Sequence, residues 1–129
     1  MADIATAAGV AGLALAANSL GVSAWAQARW PARGRRLLTP LGAVHVLDRG
    51  EGPPVLMLHG AASCAEGIVA PLADRLDGHR LIAPDRPGAG HTPTIADHDK
   101  LGVPAAFIAG VLDALGVGQA TVFGHSWGC

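Results

Sequence analysis

Near the C-terminal end of the chain, Ala120-Thr121-Val122-Phe123 runs straight into Gly124-His125-Ser126-Trp127-Gly128. The first four residues have the β-branched and aromatic content of a short buried strand. The pentapeptide fits G-x-S-x-G, the nucleophile elbow. In it a serine sits on a sharp strand-to-helix turn in strained backbone angles, and glycines two residues to either side let neighbouring backbone pass close. The hydroxyl then stands clear of the sheet. Taken alone, the same five residues also read as a glycine-rich turn whose serine merely caps a helix. The upstream sequence has to decide between the two.

Upstream, buried strands alternate with helices. Arg36 to Thr39 and Ala43 to Leu47, separated by Pro40-Leu41-Gly42, predict a β-hairpin, and Asp48 to Pro54 reads as a turn-rich loop. Val55-Leu56-Met57-Leu58 is a continuous apolar run of strand length, as expected where both faces of a sheet are covered. It leads into His59-Gly60-Ala61. Helical spacing of Val69, Leu72 and Leu76 predicts a helix over Ala65 to Leu76, with Pro71 opening a turn or kinking it and Gly78 as the stop. Arg80 to Ala83 predicts the next strand. After a polar loop from Thr94 to Gly102, Pro104 suits the first turn of a helix in which Ile108, Val111, Leu112 and Leu115 form one apolar stripe, ended by Gly116 or Gly118. This order predicts crossover connections and a parallel sheet with helices on its faces. Ligands in such sheets bind beyond the carboxyl ends of the strands. His59-Gly60, the loop containing Gly88 and Gly90, and Ser126 all follow strand ends, a convergence that a merely capping serine does not explain.

Composition narrows the function classes. Nine basic and ten acidic side chains leave the chain near neutral, and the arginines form no broad patch with aromatic partners, so no nucleic-acid partner is expected. Cys64 and Cys129 lack C-x-x-C spacing, and no two of the histidines have H-x-x-x-H spacing, so no metal site and no cofactor is predicted. A disulfide between the two cysteines stays open.

From Ile4 to Ala28 the chain carries 25 residues without a charge, followed by Arg29, Arg33, Arg35 and Arg36. A helix of that length rises about 37 Å, enough to cross a bilayer with some tilt. Residues 1–34 are therefore read as a transmembrane anchor and linker, and 35–129 as a separate domain. Arginines only after the span put that domain on the cytoplasmic side, with Trp25 and Trp30 as interface anchors. Ala24-Trp25-Ala26 also matches a signal-peptidase pattern, which would make the domain secreted or periplasmic. A plain soluble or interfacial helix is the third reading.

In sequence order and spacing, His59-Gly60-Ala61, Asp85-Arg86-Pro87-Gly88-Ala89-Gly90-His91-Thr92 and Gly124-His125-Ser126-Trp127-Gly128 resemble the α/β-hydrolase fold family, over residues from about 36 to 129. The resemblance implies an α/β fold, Ser126 as catalytic nucleophile, and an oxyanion hole from the backbone N–H groups of Ala61 and Trp127. It assigns the His59 position to shaping the oxyanion loop and the Asp85 loop to scaffolding. His125, inside the elbow, cannot easily turn its ring onto the neighbouring hydroxyl and is expected to pack or tune the turn. In this family the triad acid and histidine follow the serine, so both are expected after Cys129, and the chain is expected to be a fragment, truncated after the elbow and inactive by itself. The strand before the elbow is then expected to be an exposed apolar edge.

The expected activity is hydrolysis of a small-molecule ester or related acyl substrate through an acyl-enzyme on Ser126, in a membrane-anchored protein. Alternatives are a non-catalytic membrane-tethered binding module, or peroxidase-like, amidase or acyltransferase chemistry on the same fold. Dehalogenase and epoxide-hydrolase chemistry is less expected, because the resemblance associates it with an aspartate at the position of Ser126.

Overall fold

The computed structural model describes residues 4–129, so the first three residues of the 1–34 segment lie outside the described residues. Two compact units follow each other, one ending at Ala32 and one running from Arg33 to Cys129. The first is a single helix, α1 (Ile4–Arg29), with apolar and small residues spread round its whole circumference. Its large apolar side chains, Leu13 and Leu20 among them, are exposed. Within it, Ala8–Arg29 is long and apolar enough to cross a membrane by length and composition, with a mean hydropathy of 1.3 over its most apolar window. Trp25 and Trp30 meet edge to face at 5.5 Å at its C-terminal end, and the Arg29 guanidinium lies 5.6 Å from the Trp30 ring centroid.

In the second unit the chain forms β1 (Arg35–Thr39), β2 (Gly42–Arg49), β3 (Pro54–Leu58), α2 (Ala65–Val69), β4 (Arg80–Pro84), α3 (Val103–Ala114) and β5 (Thr121–Gly124). The five strands make one sheet in the order β1-β2-β4-β3-β5. It is mixed rather than all parallel. β1 and β2 form the expected hairpin, β2 pairs antiparallel with β4, and only β4-β3-β5 are parallel. The hairpin supplies the antiparallel part because its tight turn reverses the chain, whereas β3, β4 and β5 are separated by helical crossovers.

From β3 the chain steps to one neighbouring position, and from β4 it steps back across β3 to β5. Crossovers of one hand in opposite directions must lie on opposite faces. That is where the two cores sit. Leu56 and Ile82 face α3 with Val44, Val46, Phe107 and Val111. Val55, Met57, Leu81 and Ala83 face α2 with Ala65, Ile68 and Val69. The strict alternation along β3 and β4 is the period-two rule with apolar residues on both faces. The chain therefore leaves β3 toward one face and β4 toward the other, which opens a crevice at their carboxyl ends.

Two helices differ from the expectation. The helix predicted over 65–76 stops at Val69, and residues Ala73–Arg75 form a separate 3-10 turn. Pro71 has no N–H to continue the ladder, so Leu72 bonds back to the Val69 carbonyl at 3.0 Å instead. Leu72 and Leu76 still pack against the same core. On α3 the buried meridian runs through Phe107 and Val111, with Ile108, Leu112 and Leu115 at its flank. Gly110 is buried on the same side, and a Cβ there would lie in ordinary contact, 3.4 Å, with Thr39 and Pro40 of the hairpin turn. β5 ends the sheet as an edge strand, with Val122 61 % and Phe123 42 % exposed.

Asp48, expected in a loop, is part of β2 and ties three strands together. Arg80 of β4 grips its carboxylate with two hydrogen bonds of 2.8 and 2.9 Å, and Arg35 of β1 adds a third. The Arg80 bonds, seconded by Arg35 and opposed by partial burial, hold the Asp48 carboxyl below its ordinary value of 3.8.

Two outcomes are expected. Ile82, fully buried between the strands and α3, leaves a cavity when shortened, so Ile82→Ala lowers stability by about 2–5 kcal/mol in urea denaturation. Because the folded-state value of Asp48 is depressed, its contribution is present above pH 3.8 and lost as the pH falls through the lowered value. Asp48→Asn is therefore expected to melt below wild type at pH 7, with the gap closing as both proteins are melted at successively lower pH beneath 3.8.

Candidate active site

The register of β3 against β5 builds the site. Leu58 lies opposite Gly124, and the His125 N–H donates to the Leu58 carbonyl at 3.0 Å. The residues that follow each strand are thereby side by side, His59-Gly60 next to His125-Ser126. Contact between them is close enough that a side chain at position 60 would push its neighbours aside by a few tenths of an ångström. A Cβ there would stand 3.0 Å from His125 Nδ1 and 3.2 Å from Ser126 Cβ.

The elbow glycines answer to the same crowding. A Cβ on Gly124 would fall on the backbone of Gly128, and one on Gly128 would fall on the Leu58 carbonyl. Between them Ser126 takes φ 54°, one of three non-glycine residues with positive φ among the described residues, the others being Ala62 and Asp97. Such a conformation costs about 1–2 kcal/mol for an L-residue. After it the chain turns through a 3-10 segment, Ser126–Gly128, closed by the Gly128 N–H on the His125 carbonyl at 2.9 Å. Ser126 is exposed at this turn.

His59 is buried, and both its ring nitrogens are engaged. Nδ1 donates to the Gly60 carbonyl at 2.9 Å, and Nε2 accepts the Arg86 N–H at 3.0 Å. An acceptor at Nε2 fixes the neutral tautomer protonated at Nδ1. Burial pushes the imidazole below its ordinary value, against the pull of the Gly60 carbonyl. His59 is thus a neutral spacer beneath the loop rather than a free base. The His125 ring has no hydrogen bond to Ser126 among the described residues.

Asp85 is buried, and both its carboxylate oxygens accept hydrogen bonds. Oδ1 accepts the Ala65 N–H at 2.7 Å, and Oδ2 accepts His45 Nδ1–H at 2.7 Å and the His91 N–H at 2.9 Å. Gly90 must be glycine beside it, since a Cβ there would fall on the carboxylate. His45, on β2, was not visible as a site residue. Its Nε2 accepts the Gly34 N–H at 3.1 Å, and its own N–H donates to Thr92 Oγ1 at 2.9 Å. A lone histidine between two valines carries no spacing signal; only the pairing across 40 residues reveals it.

Arg86 is the other residue that sequence reading passed over. Its guanidinium donates to the Gly60 carbonyl at 3.1 Å and lies 5.9 Å from the centroid of the Trp127 ring. Burial lowers its affinity for the proton relative to a free arginine. A cleft of about 460 Å³ opens beside it, lined by Ala61, Arg86, Phe107, Ile108 and Trp127 among others. The apolar part of its wall comes largely from α3, and Trp127 is 71 % exposed toward solvent. The N–H groups of Ala61 and Trp127 donate to no protein acceptor among the described residues. A second cleft, of about 470 Å³ between Arg33, Arg35, Asp48 and Glu66, contains none of these groups. Cys64 and Cys129 are both free thiols. Among the described residues no three His, Cys, Asp or Glu side chains gather as a metal site.

The geometry can be set beside known proteins. A family model described as the alpha/beta hydrolase fold matches residues 53–129. The chain is 34 % identical over 92 residues to a 2-hydroxy-6-oxo-6-phenylhexa-2,4-dienoate hydrolase of Burkholderia cepacia, covering 66 % of this chain and 32 % of the relative. It is 36 % identical over 90 residues to an epoxide hydrolase of Caballeronia sordidicola, covering 67 % and 27 %. Among solved structures, an esterase from Exiguobacterium antarcticum superposes with a TM-score of 0.66 at 30 % identity, covering 74 % of this chain and 36 % of that one. An epoxide hydrolase from Vigna radiata gives 0.62 at 34 % identity, covering 73 % and 32 %. The chain spans about a third of the length of the curated relatives it matches. A matched span that includes the parallel strands, the Asp85 loop and the strained serine turn leaves one assignment: the chain belongs to the α/β-hydrolase fold family.

Proposed function

We propose that the protein is a serine hydrolase acting on a small-molecule ester or related acyl compound, with Ser126 as nucleophile. The observation that carries this reading is Ser126 at φ 54°, exposed just past the end of β5 and directly beside Gly60. Attack of the Ser126 oxygen on a substrate carbonyl creates a tetrahedral oxyanion. The Ala61 and Trp127 N–H groups, which find no acceptor among the described residues, are the donors for it. Collapse expels the leaving group and leaves an acyl-serine, which water then hydrolyses.

Ser126 has no imidazole partner among the described residues, and an unactivated hydroxyl is a poor nucleophile. The base and its acid are therefore assigned to a part of the complete protein that follows this chain, in the order the family uses. Relatives named for a 6-oxo substrate support a carbonyl electrophile. Relatives named epoxide hydrolase and haloalkane dehalogenase act on substrates without one, and serine is the less suitable nucleophile for those. Amidase, acyltransferase or peroxidase-like chemistry would use the same serine, so the acyl group itself is a matter for substrate screening.

We also propose that α1 anchors the protein in a membrane with the catalytic unit on the cytoplasmic side. An uncharged span, exposed apolar side chains, a tryptophan pair at its end and arginines just beyond it support this reading.

Both readings have direct tests. In the complete protein, Ser126→Ala is expected to lower the turnover of p-nitrophenyl acetate by at least about a thousand-fold, and a fluorophosphonate adduct is expected on Ser126 by mass spectrometry. Equal turnover, or a folded protein without adduct, leaves the non-catalytic binding module as the better account. For the anchor, the protein is expected in the membrane pellet after alkaline carbonate extraction with its N-terminus intact. A soluble product beginning after Ala26 would instead identify α1 as a cleaved signal.

A further inference from the structure

The Gly60 carbonyl collects two side-chain donors from two different loops. His59 Nδ1–H reaches it from the end of β3 at 2.9 Å, and the Arg86 guanidinium reaches it from the loop after β4 at 3.1 Å. The backbone N–H of Arg86 closes the arrangement by donating to His59 Nε2 at 3.0 Å. That last bond is what keeps the proton on Nδ1, where it can serve the carbonyl.

The Gly60 carbonyl and the Ala61 N–H belong to the same peptide unit. In a trans peptide the two point in opposite directions within one plane, so whatever fixes the carbonyl aims the N–H. Donors on the carbonyl oxygen also draw electron density along the amide and make its N–H a stronger donor, an effect of order 10–30 % per bond. One of the two donors here is a full cation. The same guanidinium lies over the ring of Trp127, whose backbone N–H is the second donor without an acceptor among the described residues. Arg86 holds this position with Nε buried and without a hydrogen-bond partner, an arrangement that folding alone would not favour.

We propose that Arg86, with His59, is a positioning residue for the oxyanion hole, aiming and polarising the Ala61 N–H through the Gly60–Ala61 peptide. The inference rests on Ser126 being the nucleophile. Because the carbonyl is pinned before substrate arrives, the donor costs no reorganisation when charge develops on the tetrahedral intermediate. A neutral ground-state carbonyl gains little from a stronger N–H, whereas the oxyanion gains much. The contribution therefore falls on kcat rather than on KM.

The test compares wild type, Arg86→Met, Arg86→Gln, Arg86→Lys and Ser126→Ala in the complete protein, with p-nitrophenyl acetate as the neutral substrate; rates of the Arg86 variants are expressed per fluorophosphonate-titrated serine and that of Ser126→Ala per mole of folded protein. Arg86→Met removes donor and charge. It is expected to lower kcat about 10- to 100-fold with KM within about two-fold, less than the loss of a whole oxyanion donor. Arg86→Lys, which keeps the charge, is expected to recover to within about three-fold of wild type. A merely structural role would reduce the titratable fraction and leave the rate per titrated serine unchanged. Wild-type kcat in Arg86→Met, or a change confined to KM, overturns the proposal. Should Arg86→Met not fold, Arg86→Gln decides it: an intermediate loss of kcat supports the proposal, and equality with wild type overturns it. Wild-type turnover in Ser126→Ala would sink the serine reading together with this one, whereas an inactive Ser126→Ala beside an unaffected Arg86→Met rejects this one only.

Discussion

A single buried carboxylate holds the parts of the site in place. Among the described residues Asp85 has no lysine or arginine partner, and burying a polar group in that state is costly unless hydrogen bonds compensate it. Here the donors come from three places: the His45 ring on β2, the Ala65 N–H at the start of α2, and the His91 N–H in the loop after β4. Ala65 closes the loop that begins at His59, and Arg86 directly follows Asp85 in sequence. One carboxylate therefore anchors both the loop from His59 to Ala65 and the segment that carries the guanidinium to the Gly60 carbonyl. Its bond to His45 extends the anchorage to the hairpin and, through the Gly34 N–H, to the first residues of the unit.

Much of this was legible in the sequence because it is periodic or punctuated. The apolar run at Val55–Leu58 and the strand at Arg80–Ala83 follow from composition, and the glycines at 124 and 128 followed from the need for close backbone. The alternation of strand and helix, with the hairpin before it, announced an α/β sheet. What escaped was pairing at a distance. No local pattern says that β2 lies against β4, that Asp48 belongs to a strand, or that Arg86 reaches back to Gly60. Local rules placed two helices less completely. Of the two roles open to Pro71 the chain takes the turn, which ends α2 at Val69, and the apolar stripe of α3 packs on the core as read but with Phe107 added at its buried centre.

The two buried histidines near the site behave alike and differ from catalytic ones. Each donates from Nδ1 to an oxygen and accepts a backbone N–H at Nε2. In that arrangement imidazole works as a rigid, uncharged connector with one donor and one acceptor on opposite edges. No other side chain of that size offers the pair in a fixed plane. Counting histidines near a serine thus overstates the supply of bases; what matters is which ring nitrogen is still free.

The left-handed conformation of Ser126 bears on the choice between an enzyme and an inert relative. Glycine would adopt φ 54° without the penalty of about 1–2 kcal/mol that any other L-residue bears there. Its hydrogen side chain would also fit the turn, because the two flanking glycines already meet the steric demands of the neighbouring strands. Serine at this position thus bears a backbone cost that the turn itself does not demand of it.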